Sequence, residues 1–434
     1  MTTAYLFALW AGGGNVPPQM ALATRLAAAG HEVRVLAPAV LRGQIEAAGL
    51  EFEPYRRTPE HDEADPARSL TRDFGYRSPL GAAKATRDHL FVAMAEPVAA
   101  DVLGVLARRR VDVVVPDYML MGALLAAEKA NVPVAGLIHH TYPFPAPGLP
   151  PFGNGWVPRP GLLGAARDAA GRAIFDRVWV RPMLDGLNRA RQNLGLEPFA
   201  EITDLLAVAD RFLVLTSRSF DFPAELPANV RYVGPQMDQR DGTPGWSSPW
   251  PDEDSRPLVV VSLSTTYQAQ ESLIRNAIEA VGRLPVRALV TTGPVDASAD
   301  QVPPNVHVTR FIPHAHVLPH AAAVITHGGH GTVMAALRHG LPMVCLPMGR
   351  DQGDVAARVA WHRAGVRLSA RSGATKISTA IEHVLRDPGF TTAARRLATA
   401  ITEDEAAGSG VSELVGLARR RHNPQVLSDD GRVA

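Results

Sequence analysis

The sequence predicts an α/β protein built from two doubly wound parallel-sheet domains that face each other across a cleft. Three observations support this fold class. The chain has 434 residues, which exceeds one ordinary core and suits two domains of about 200 residues each. Short apolar runs alternate with amphipathic stretches in both halves, as is typical of βαβ units. Residues 235–257, rich in Pro, Gly, Ser and Asp, separate the two halves.

In the first half, the apolar runs predict parallel strands and the stretches between them predict helices. A helix is expected over residues 17–29, where Gly30 ends the amphipathic pattern, and another over residues 121–130. The runs that we assign to strands are residues 4–9, 32–37, 111–116, 134–138 and 211–216.

Two segments of the first half have weak periodicity, residues 54–90 and residues 143–161. The second is crowded with Pro, Gly and aromatic residues. Long loops inside a compact domain are usually binding loops or lids. Phe144, in the second segment, and Tyr142, just before it, are therefore candidates for contacts with a bulky apolar ligand.

In the second half the same alternation resumes after the Pro-rich segment. We therefore place an N-terminal domain at residues 1–234, a linker at 235–257 and a C-terminal domain at 258–409. The strands expected in the C-terminal domain are residues 258–262, 286–291, 306–308, 323–326 and 343–347.

The composition excludes several classes of function. A formal net charge of +1 gives no basic surplus that could hold nucleic acid. The single cysteine, Cys345, rules out an internal disulfide and a cysteine-based metal cluster. The N-terminus lacks a signal-peptide pattern, and charged residues and prolines interrupt the most apolar region, residues 111–138. We therefore expect a cytoplasmic protein without a membrane span.

The most informative segment is a glycine-rich turn between a short apolar run and an amphipathic stretch in the C-terminal half. Gly328, Gly329 and Gly331 allow the backbone to approach a ligand closely. The first N–H groups of the helix that follows have no intrahelical partners, and with the helix dipole they form an anion site that suits phosphate. The side chains of His327 and Thr332 add hydrogen-bond donors to this site.

A second polar pair follows the next predicted strand. Asp351 and Gln352 lie in the loop beyond the apolar run at residues 341–347. Ligands of open parallel sheets bind outside the carboxyl ends of the strands, so this pair is expected in the same crevice as the glycine-rich turn. A carboxylate beside an amide suits the vicinal hydroxyls of a sugar. Because a phosphate site adjoins a sugar site, the sequence predicts a nucleotide-sugar ligand, with residues 310–320 available to the base.

Three motifs, in this order and spacing, resemble the donor site of GT-B nucleotide-sugar glycosyltransferases: residues 311–314 (Phe-Ile-Pro-His), 327–332 and 351–352. The likeness is to the inverting branch that acts on natural products and other small molecules, and it covers nearly the whole chain. It implies two Rossmann-like domains with an interdomain cleft. It also implies that residues 410–421 form a helix that crosses back to the first domain, followed by a tail at 422–434.

The resemblance gives each donor-site residue a role. It implies that His327, Gly331 and Thr332 hold the pyrophosphate and that Asp351 and Gln352 hold the sugar hydroxyls.

Of the other donor-site positions, two match the family pattern and two depart from it. The resemblance implies that the backbone near Ile312 reads the base and that Thr265 belongs to the phosphate-side turn. Ser264 stands where a glycine is usual, and Ala335 stands where many members place a Glu that binds the ribose hydroxyls. The missing carboxylate leaves the nucleotide open between dTDP and UDP.

The pattern breaks at the catalytic base. Inverting transfer removes a proton from the acceptor, and a His held by an Asp does this well. In the family this His lies in the first glycine-rich turn, where the present chain has Asn15, which cannot act as a base at neutral pH. The usual Asp partner is present as Asp117. His139 and His140 follow the strand at 134–138 and lie at the same sheet edge, where they can assist.

Three interpretations of this departure stay open. In the first, Asn15 orients the acceptor while Asp117 or a neighbouring histidine takes the proton. In the second, the acceptor needs little activation, as with an acidic phenol or an electron-rich aromatic carbon. In the third, the chain is a catalytically weakened helper protein on the same fold. A purely structural interpretation of the paired histidines is that they cap loop carbonyls at the strand end.

We therefore expect an inverting, metal-independent glycosyltransferase that uses no cofactor. It would move a hexose from dTDP or UDP to a hydrophobic small molecule, such as a polyketide, a macrolide or an aromatic natural product. The alternatives are the helper protein and a nucleotide-sugar epimerase of the same architecture. The loop at 143–161 favours the transferase, because an epimerase needs no open apolar acceptor pocket. The sequence leaves open the sugar, the acceptor, the bond formed and the assembly, including a homodimer or a complex with a helper protein.

Overall fold

The computed structural model describes residues 2–76, 78–237, 246–264, 266–295 and 302–422. Within these ranges the strands pair in parallel and helices connect them, so the chain is an α/β protein.

The strands of the N-terminal half form two sheets that adjoin. They are β1 Ala4–Ala8, β2 Glu32–Ala37, β3 Glu51–Pro54, β4 Val113–Pro116, β5 Ala135–Ile138, β6 Arg211–Val214 and β7 Val230–Tyr232. The order is β3-β2-β1-β4 in one sheet and β5-β6-β7 in the other. Parallel bridges between Val114 and Val134 and between Asp117 and Leu137 place β4 beside β5, so the two sheets continue into each other.

The strands of the C-terminal half form one six-stranded sheet. They are β8 Leu258–Ser262, β9 Arg287–Thr291, β10 Val306–Thr309, β11 Ala323–Thr326, β12 Met343–Cys345 and β13 Gly365–Arg367. The order β10-β9-β8-β11-β12-β13 reverses direction between β8 and β11. In doubly wound sheets a ligand crevice opens at this reversal, beyond the carboxyl ends of the strands.

The connecting helices cover both sheets. In the N-terminal half they are α1 Val16–Ala28, α2 Arg42–Ala47, α3 Pro79–Thr86, α4 Ala95–Leu106, α5 Met121–Ala130, α6 Leu162–Phe175, α7 Arg181–Leu194 and α8 Ile202–Val208. In the C-terminal half they are α9 Glu271–Gly282, α10 His314–Val317, α11 His330–Arg338, α12 Gln352–Trp361, α13 Ala374–Arg386, α14 Pro388–Ala407 and α15 Gly410–His422.

The strands are apolar along their whole length because helices cover both faces of each sheet. All five residues of β1 are buried, with Leu6 and Phe7 facing opposite core clusters. In the central strand β8 of the C-terminal sheet, Val260 and Val261 likewise face opposite core clusters. This packing fixes the carboxyl ends of the strands, where the polar motifs lie.

The last helix returns to the N-terminal half. In α15, Leu414, Leu417 and Ala418 are buried in the same apolar cluster as Val16 and Met20 of α1. This contact fastens the end of the C-terminal half to the first sheet.

One continuous helical stretch, residues 80–106, has the length and apolar composition that could span a membrane. Half of its apolar window is buried inside the protein, and Met94, Val98 and Val102 pack in the core of the N-terminal half. The stretch therefore has the packing of a core helix.

Candidate active site

The glycine-rich turn connects β11 to α11. Gly328 has a φ of +86°, which a side chain would strain, and its N–H donates to Thr326 Oγ1 at 3.2 Å. Gly329 precedes the first residue of α11, so the backbone amides of Gly331 and Thr332 belong to the first helical turn. Amides in that turn have no intrahelical acceptor and are free to bind an anion.

His327 is a neutral hydrogen-bond donor beside this turn. Its Nδ1 accepts the backbone N–H of Ser264 at 3.1 Å, which leaves the ring proton on Nε2. Burial lowers the pKa of His327 to about 4, so the ring is uncharged at neutral pH. Nε2 lies over Gly329, where a Cβ would collide with the ring. The absence of a side chain at Gly329 therefore gives His327 room to reach a ligand at the helix terminus.

The backbone φ of Ser264 is +64°, in the left-handed region that glycine adopts most easily. This conformation explains why a glycine is usual at this position. Thr265, the neighbouring residue predicted to contact phosphate, lies outside the described residues.

His330 is a site residue that the sequence analysis did not single out. Its Nε2 lies 2.8 Å from Thr216 Oγ1, which follows β6 in the N-terminal half. Burial lowers the pKa of His330 to about 3, so the contact joins two neutral groups. The histidine thus connects the start of α11 to the opposite side of the cleft. In the sequence His330 looks like an ordinary helix residue, and only its contact with Thr216 in the folded chain identifies it as a site residue.

Gln352 braces the donor loop. Its Oε1 accepts the N–H groups of Met348 at 2.8 Å and Gly349 at 3.2 Å, and its Nε2 donates to Gln268 at 2.8 Å. The side chain is buried, so one amide hydrogen at most is left for a sugar hydroxyl. Both residues line the cleft, but Asp351 is only partly buried. The two residues, which the sequence analysis paired as sugar ligands, therefore differ in what they offer a ligand.

Ile312 lies on the same cleft, next to the exposed ring of Phe311. Ile312 itself packs against the C-terminal core, which anchors the extended segment before α10. The segment therefore presents backbone and an aromatic ring to the cleft.

The amide nitrogen of Asn15 is fully used, whereas its Oδ1 has no hydrogen-bond partner among the described residues. In the turn after β1, its Nδ2 donates to Trp10 O at 3.1 Å and to Asp117 Oδ2 at 3.0 Å, which uses both N–H groups. A Cβ at Gly12 would lie 2.6 Å from Asn15 Oδ1, so the glycine is required for this close approach. Asn15 is 3% exposed. It therefore holds Asp117 in place.

Asp117 is a buried, ionised carboxylate. Burial alone would raise its pKa, but His139 and the hydrogen bonds donated by Met119 and Asn15 lower the pKa below its usual value. The N–H of Met119 donates to Oδ1 at 3.0 Å, and Gln19 Nε2 donates to Oδ2. A carboxylate held by so many donors is a poor proton acceptor. The hypothesis that Asp117 itself takes the proton is therefore disfavoured by its surroundings.

His139 is the group beside Asp117 that can take a proton. Its Nδ1 lies 3.0 Å from Asp117 Oδ2, and the side chain is 14% exposed on the cleft. Burial would lower the pKa of His139, but the Asp117 carboxylate outweighs this effect and raises it, with a further contribution from Asp351 across the cleft. With Nδ1 against the carboxylate, Nε2 is the remaining nitrogen for a substrate.

His140 has a structural environment instead. Its Nε2 lies 2.8 Å from the hydroxyl of Tyr118 and its Nδ1 lies 2.7 Å from the carbonyl oxygen of Thr141, so both nitrogens are occupied. Burial lowers the pKa of His140 to about 4. The two adjacent histidines therefore differ, and the loop-capping interpretation fits His140 alone.

The two predicted acceptor contacts also differ. Phe144 lines the cleft and packs edge-on against Tyr118, with ring centroids 5.9 Å apart. Tyr142 is 1% exposed and belongs to the N-terminal core, so its prediction as a direct acceptor contact is wrong in this structure. Tyr142 and Phe144 would share a face in a regular strand, but this Pro-rich segment is not a strand, so the alternation does not apply to it.

The loop at 143–161 closes against the donor half. The carboxylate of Asp354, in the first turn of α12, accepts the N–H groups of Gly153 at 2.8 Å and Gly155 at 3.3 Å. A Cβ at Gly155 would lie 2.7 Å from the carbonyl oxygen of Gly353, so the backbones touch. Burial raises the pKa of Asp354 to about 6. The predicted acceptor loop therefore rests on the helix that follows Asp351.

These elements enclose one large cleft between the halves, about 1870 Å³ in volume. The donor turn, Asp351 and His139 all line it. Aromatic side chains also line it, among them Trp10, Phe74, Tyr76, Phe91, Tyr118, Phe144, Phe152, Trp156, Phe175 and Trp179. Such a surface suits a large, apolar, ring-containing ligand.

Within the part of the chain that the structure describes, no group of three or more His, Cys, Asp or Glu side chains is arranged to hold a metal ion. Cys345 is buried in β12, where burial raises the pKa of its thiol to about 12.

Comparison with known proteins identifies the family. A family described as erythromycin biosynthesis protein CIII-like, C-terminal domain, matches residues 275–416. The chain is 32% identical over 425 residues to 4'-demethylrebeccamycin synthase of Lentzea aerocolonigenes, covering 96% of this chain and 100% of that protein.

Solved structures agree at the level of the fold. The glycotransferase of kitacinnamycin superposes with a TM-score of 0.73 at 20% identity, covering 97% of this chain and 100% of its own. The glycosyltransferase VinC superposes with a TM-score of 0.68 at 20% identity, covering 96% and 100%. Together with the cleft and its donor-type turn, these findings show that the chain belongs to the GT-B natural-product glycosyltransferases of antibiotic biosynthesis.

Proposed function

We propose that this glycosyltransferase moves a hexose from a nucleoside diphosphate to a bulky aromatic natural product, with inversion, and that His139 is its general base. The observation that carries the proposal is the 3.0 Å contact between His139 Nδ1 and Asp117 Oδ2 on the cleft that Asp351 also lines. An imidazole oriented by a carboxylate and facing a donor-sugar site is what a single displacement requires.

In this mechanism the donor diphosphate lies at the start of α11. The amides of Gly331 and Thr332 and the Nε2–H of His327 donate to phosphate oxygens. Asp351 accepts hydrogen bonds from the sugar hydroxyls. A neutral donor such as His327 stabilises the charge that builds up on the leaving phosphate without needing to gain a proton.

The acceptor group lies between the sugar and His139. As its oxygen or nitrogen forms a bond to the anomeric carbon, its proton passes to Nε2 of His139, and the bond from that carbon to the phosphate oxygen breaks. The nucleoside diphosphate leaves from the opposite face, which inverts the anomeric centre. Asp117 stabilises the imidazolium that results, and Asn15 and Gln19 hold Asp117 in place.

Of the two nucleotides, dTDP is the one that we favour. VinC and the glycosyltransferase SsfS6 of Streptomyces sp. SF2575 have both been solved with thymidine diphosphate. Ala335, which lines the cleft, offers no acceptor for a ribose 2'-hydroxyl. A 2'-deoxyribose loses nothing at such a position, whereas a ribose leaves a hydroxyl unpaired.

The acceptor class is inferred from the aromatic lining of the cleft. Rings such as Trp10, Phe144 and Trp179 favour flat polycyclic acceptors over polar ones. The similarity to 4'-demethylrebeccamycin synthase, together with that to a demethyllactenocin mycarosyltransferase of Streptomyces fradiae, supports a natural-product acceptor.

The helper-protein and epimerase alternatives receive less support. A helper needs no imidazole beside a carboxylate in the cleft, yet His139 Nδ1 lies 3.0 Å from Asp117 Oδ2. An epimerase needs no aromatic cavity beyond the sugar site. A metal-independent reaction and a cytoplasmic location remain part of the proposal.

The test is incubation of the purified protein with dTDP-glucose or UDP-glucose and a panel of polycyclic phenols and indoles, with products identified by mass spectrometry. Transfer from dTDP-glucose that survives a chelator and is lost in His139→Ala is the expected result. Sugar transfer that depends strictly on a divalent ion would contradict the metal-free mechanism. Binding of the donor without transfer to any acceptor would favour the helper alternative.

A further inference from the structure

A loop of the N-terminal half connects the acceptor-side turn to the donor loop. We call residues 61–73 the strap. At its beginning the strap is fastened to the turn after β1, because the N–H of Ala11 donates to His61 Nε2 at 3.2 Å and the N–H of Glu63 donates to Ala11 O at 3.0 Å. This turn carries Asn15, which holds Asp117.

At its end the strap binds Arg350, the residue before Asp351. Arg350 Nε donates to Asp73 Oδ2 at 2.6 Å and Nη2 donates to Asp73 Oδ1 at 3.1 Å, so the two side chains form a bidentate ion pair. Nη1 donates to Thr266 Oγ1 at 3.0 Å. Protein groups from both halves therefore use three of the five guanidinium N–H groups.

The strap is itself rigidly built. The carboxylate of Glu63, whose side chain is 1% exposed, accepts the hydroxyls of Ser69 and Thr71, each at 2.8 Å. Arg72 has a φ of +44°, an uncommon conformation for a residue with a side chain, and it directs the chain into Asp73. A buried carboxylate with several donors organises the loop around it.

The donor loop also has an uncommon backbone conformation, at Arg350. Arg350 has a φ of +55°, so the chain must be held in the left-handed region just before Asp351. A second contact reinforces this, because the ring of Phe74 packs edge-on against Tyr267, with centroids 5.1 Å apart. The strap and the residue that follows it, Phe74, therefore contact the donor half at two residues, Arg350 and Tyr267.

We propose that Asp73 and Arg350 are positioning residues for glycosyl transfer. Their ion pair fixes the backbone turn that aims Asp351 at the donor sugar, and it does so only when the strap of the acceptor half is docked. The acceptor-side turn and the donor-sugar site are thereby coupled through the strap. This inference rests on the proposed function in taking Asp351 as a ligand of the donor sugar.

The experiment compares Asp73→Asn, Arg350→Met and the double variant with wild type by hydrogen–deuterium exchange of residues 348–353. Each single variant should speed exchange of this loop by about tenfold, the size of one charge-assisted hydrogen bond at the lower end of its range. Because both variants break one ion pair, the double variant should exchange no faster than the more severe single variant. Glu51→Gln, which breaks the 2.6 Å pair between Arg34 and Glu51 within one sheet, is the matched control and should leave the loop unchanged.

Calorimetry separates positioning from loss of the fold. In Asp73→Asn the affinity for dTDP should stay within about twofold of wild type, because α11 and His327 are untouched, while the affinity for dTDP-glucose should fall about five- to tenfold. Retention of dTDP binding shows that the variant is folded. Exchange unchanged in both single variants, or additive in the double variant, would overturn the coupling. A wild-type protein that binds neither compound would instead contradict the proposed function, while the exchange data would still test the ion pair.

Discussion

His139 Nδ1 lies 3.0 Å from Asp117 Oδ2, although the two residues follow different strands of the N-terminal half. The strands β4 and β5 are neighbours, joined by the bridge between Asp117 and Leu137, so their carboxyl ends lie side by side. The turn after β1 carries Asn15 and therefore lacks an imidazole. His139, at the end of β5, supplies the imidazole instead. The carboxylate is the one that the family pattern predicts.

Removal of this imidazole should abolish most of the transfer. We expect His139→Ala to lower kcat by about 10²–10⁴-fold, the usual effect of losing a general base. Asn15→Ala, which removes one bond to the carbonyl of Trp10 and one to the ionised carboxylate of Asp117, should cost less, about 10–10²-fold, because a bond to a charged group contributes about 1.5–3 kcal/mol. Steady-state rates with saturating donor give both values, and unchanged dTDP affinity shows that the donor half is intact. Full activity in His139→Ala would point to a self-activating acceptor, and the rate should then follow the acceptor's own pKa.

The pH dependence of kcat/KM should report the His139–Asp117 pair. Burial lowers the pKa of His139 and the Asp117 carboxylate raises it more, so the net pKa is above the ordinary value of about 6.5. The reacting form is the neutral ring, so activity should rise with pH through this raised pKa. Asp117→Asn removes the raising charge, and the acid limb should move to lower pH while the maximal rate falls. An acid limb that stays in place would contradict the assignment.

The same pair contributes to stability with a defined sign. Because the folded-state pKa of His139 is raised, its contribution is fully present below about pH 6.5 and is lost as pH rises through the raised value.

Loss of the donor from His327 should weaken nucleotide binding. His327→Ala removes the Nε2–H that we place at the pyrophosphate, and a hydrogen bond to a charged group contributes about 1.5–3 kcal/mol. Calorimetric titration with dTDP measures the change. His307→Ala, an exposed histidine of β10, is the matched control and should bind dTDP like wild type. Equal affinity in His327→Ala and wild type would remove His327 from the donor site.

A methyl group at Gly155 should separate the acceptor loop from α12. Gly155 has a φ of +59°, and its Cβ would lie 2.7 Å from the carbonyl oxygen of Gly353. Gly153 has a φ of +88° but open space around it, so Gly153→Ala introduces backbone strain alone. We expect Gly155→Ala to lower the free energy of unfolding by about 1–3 kcal/mol more than Gly153→Ala, since overpacking adds to strain. Denaturant titration of both variants measures the difference, and equal losses would show that the loop does not rest on Gly353.

The sequence determined those parts of the site that depend on local chain geometry. Residues 327–332 form a strand-to-helix turn because Gly328 adopts a positive φ and α11 starts directly after Gly329, and both properties follow from nearby residues. The alternation of apolar runs likewise predicted parallel sheets, since strands covered on both faces must be apolar throughout. Asp351 could be placed at the sheet edge for the same reason.

Only the tertiary structure decided which of the remaining polar groups are free to act. Asp117 and Gln352 have the right chemistry in the sequence, but the donors around Asp117 and the loop amides around Gln352 come from distant or folded segments. His139 and His140 are adjacent in sequence and both line the cleft, yet only His139 lies against a carboxylate, while both ring nitrogens of His140 have protein partners. Such differences depend on which side chains the packing brings within 3 Å of each other, and a pattern along one chain does not contain that information.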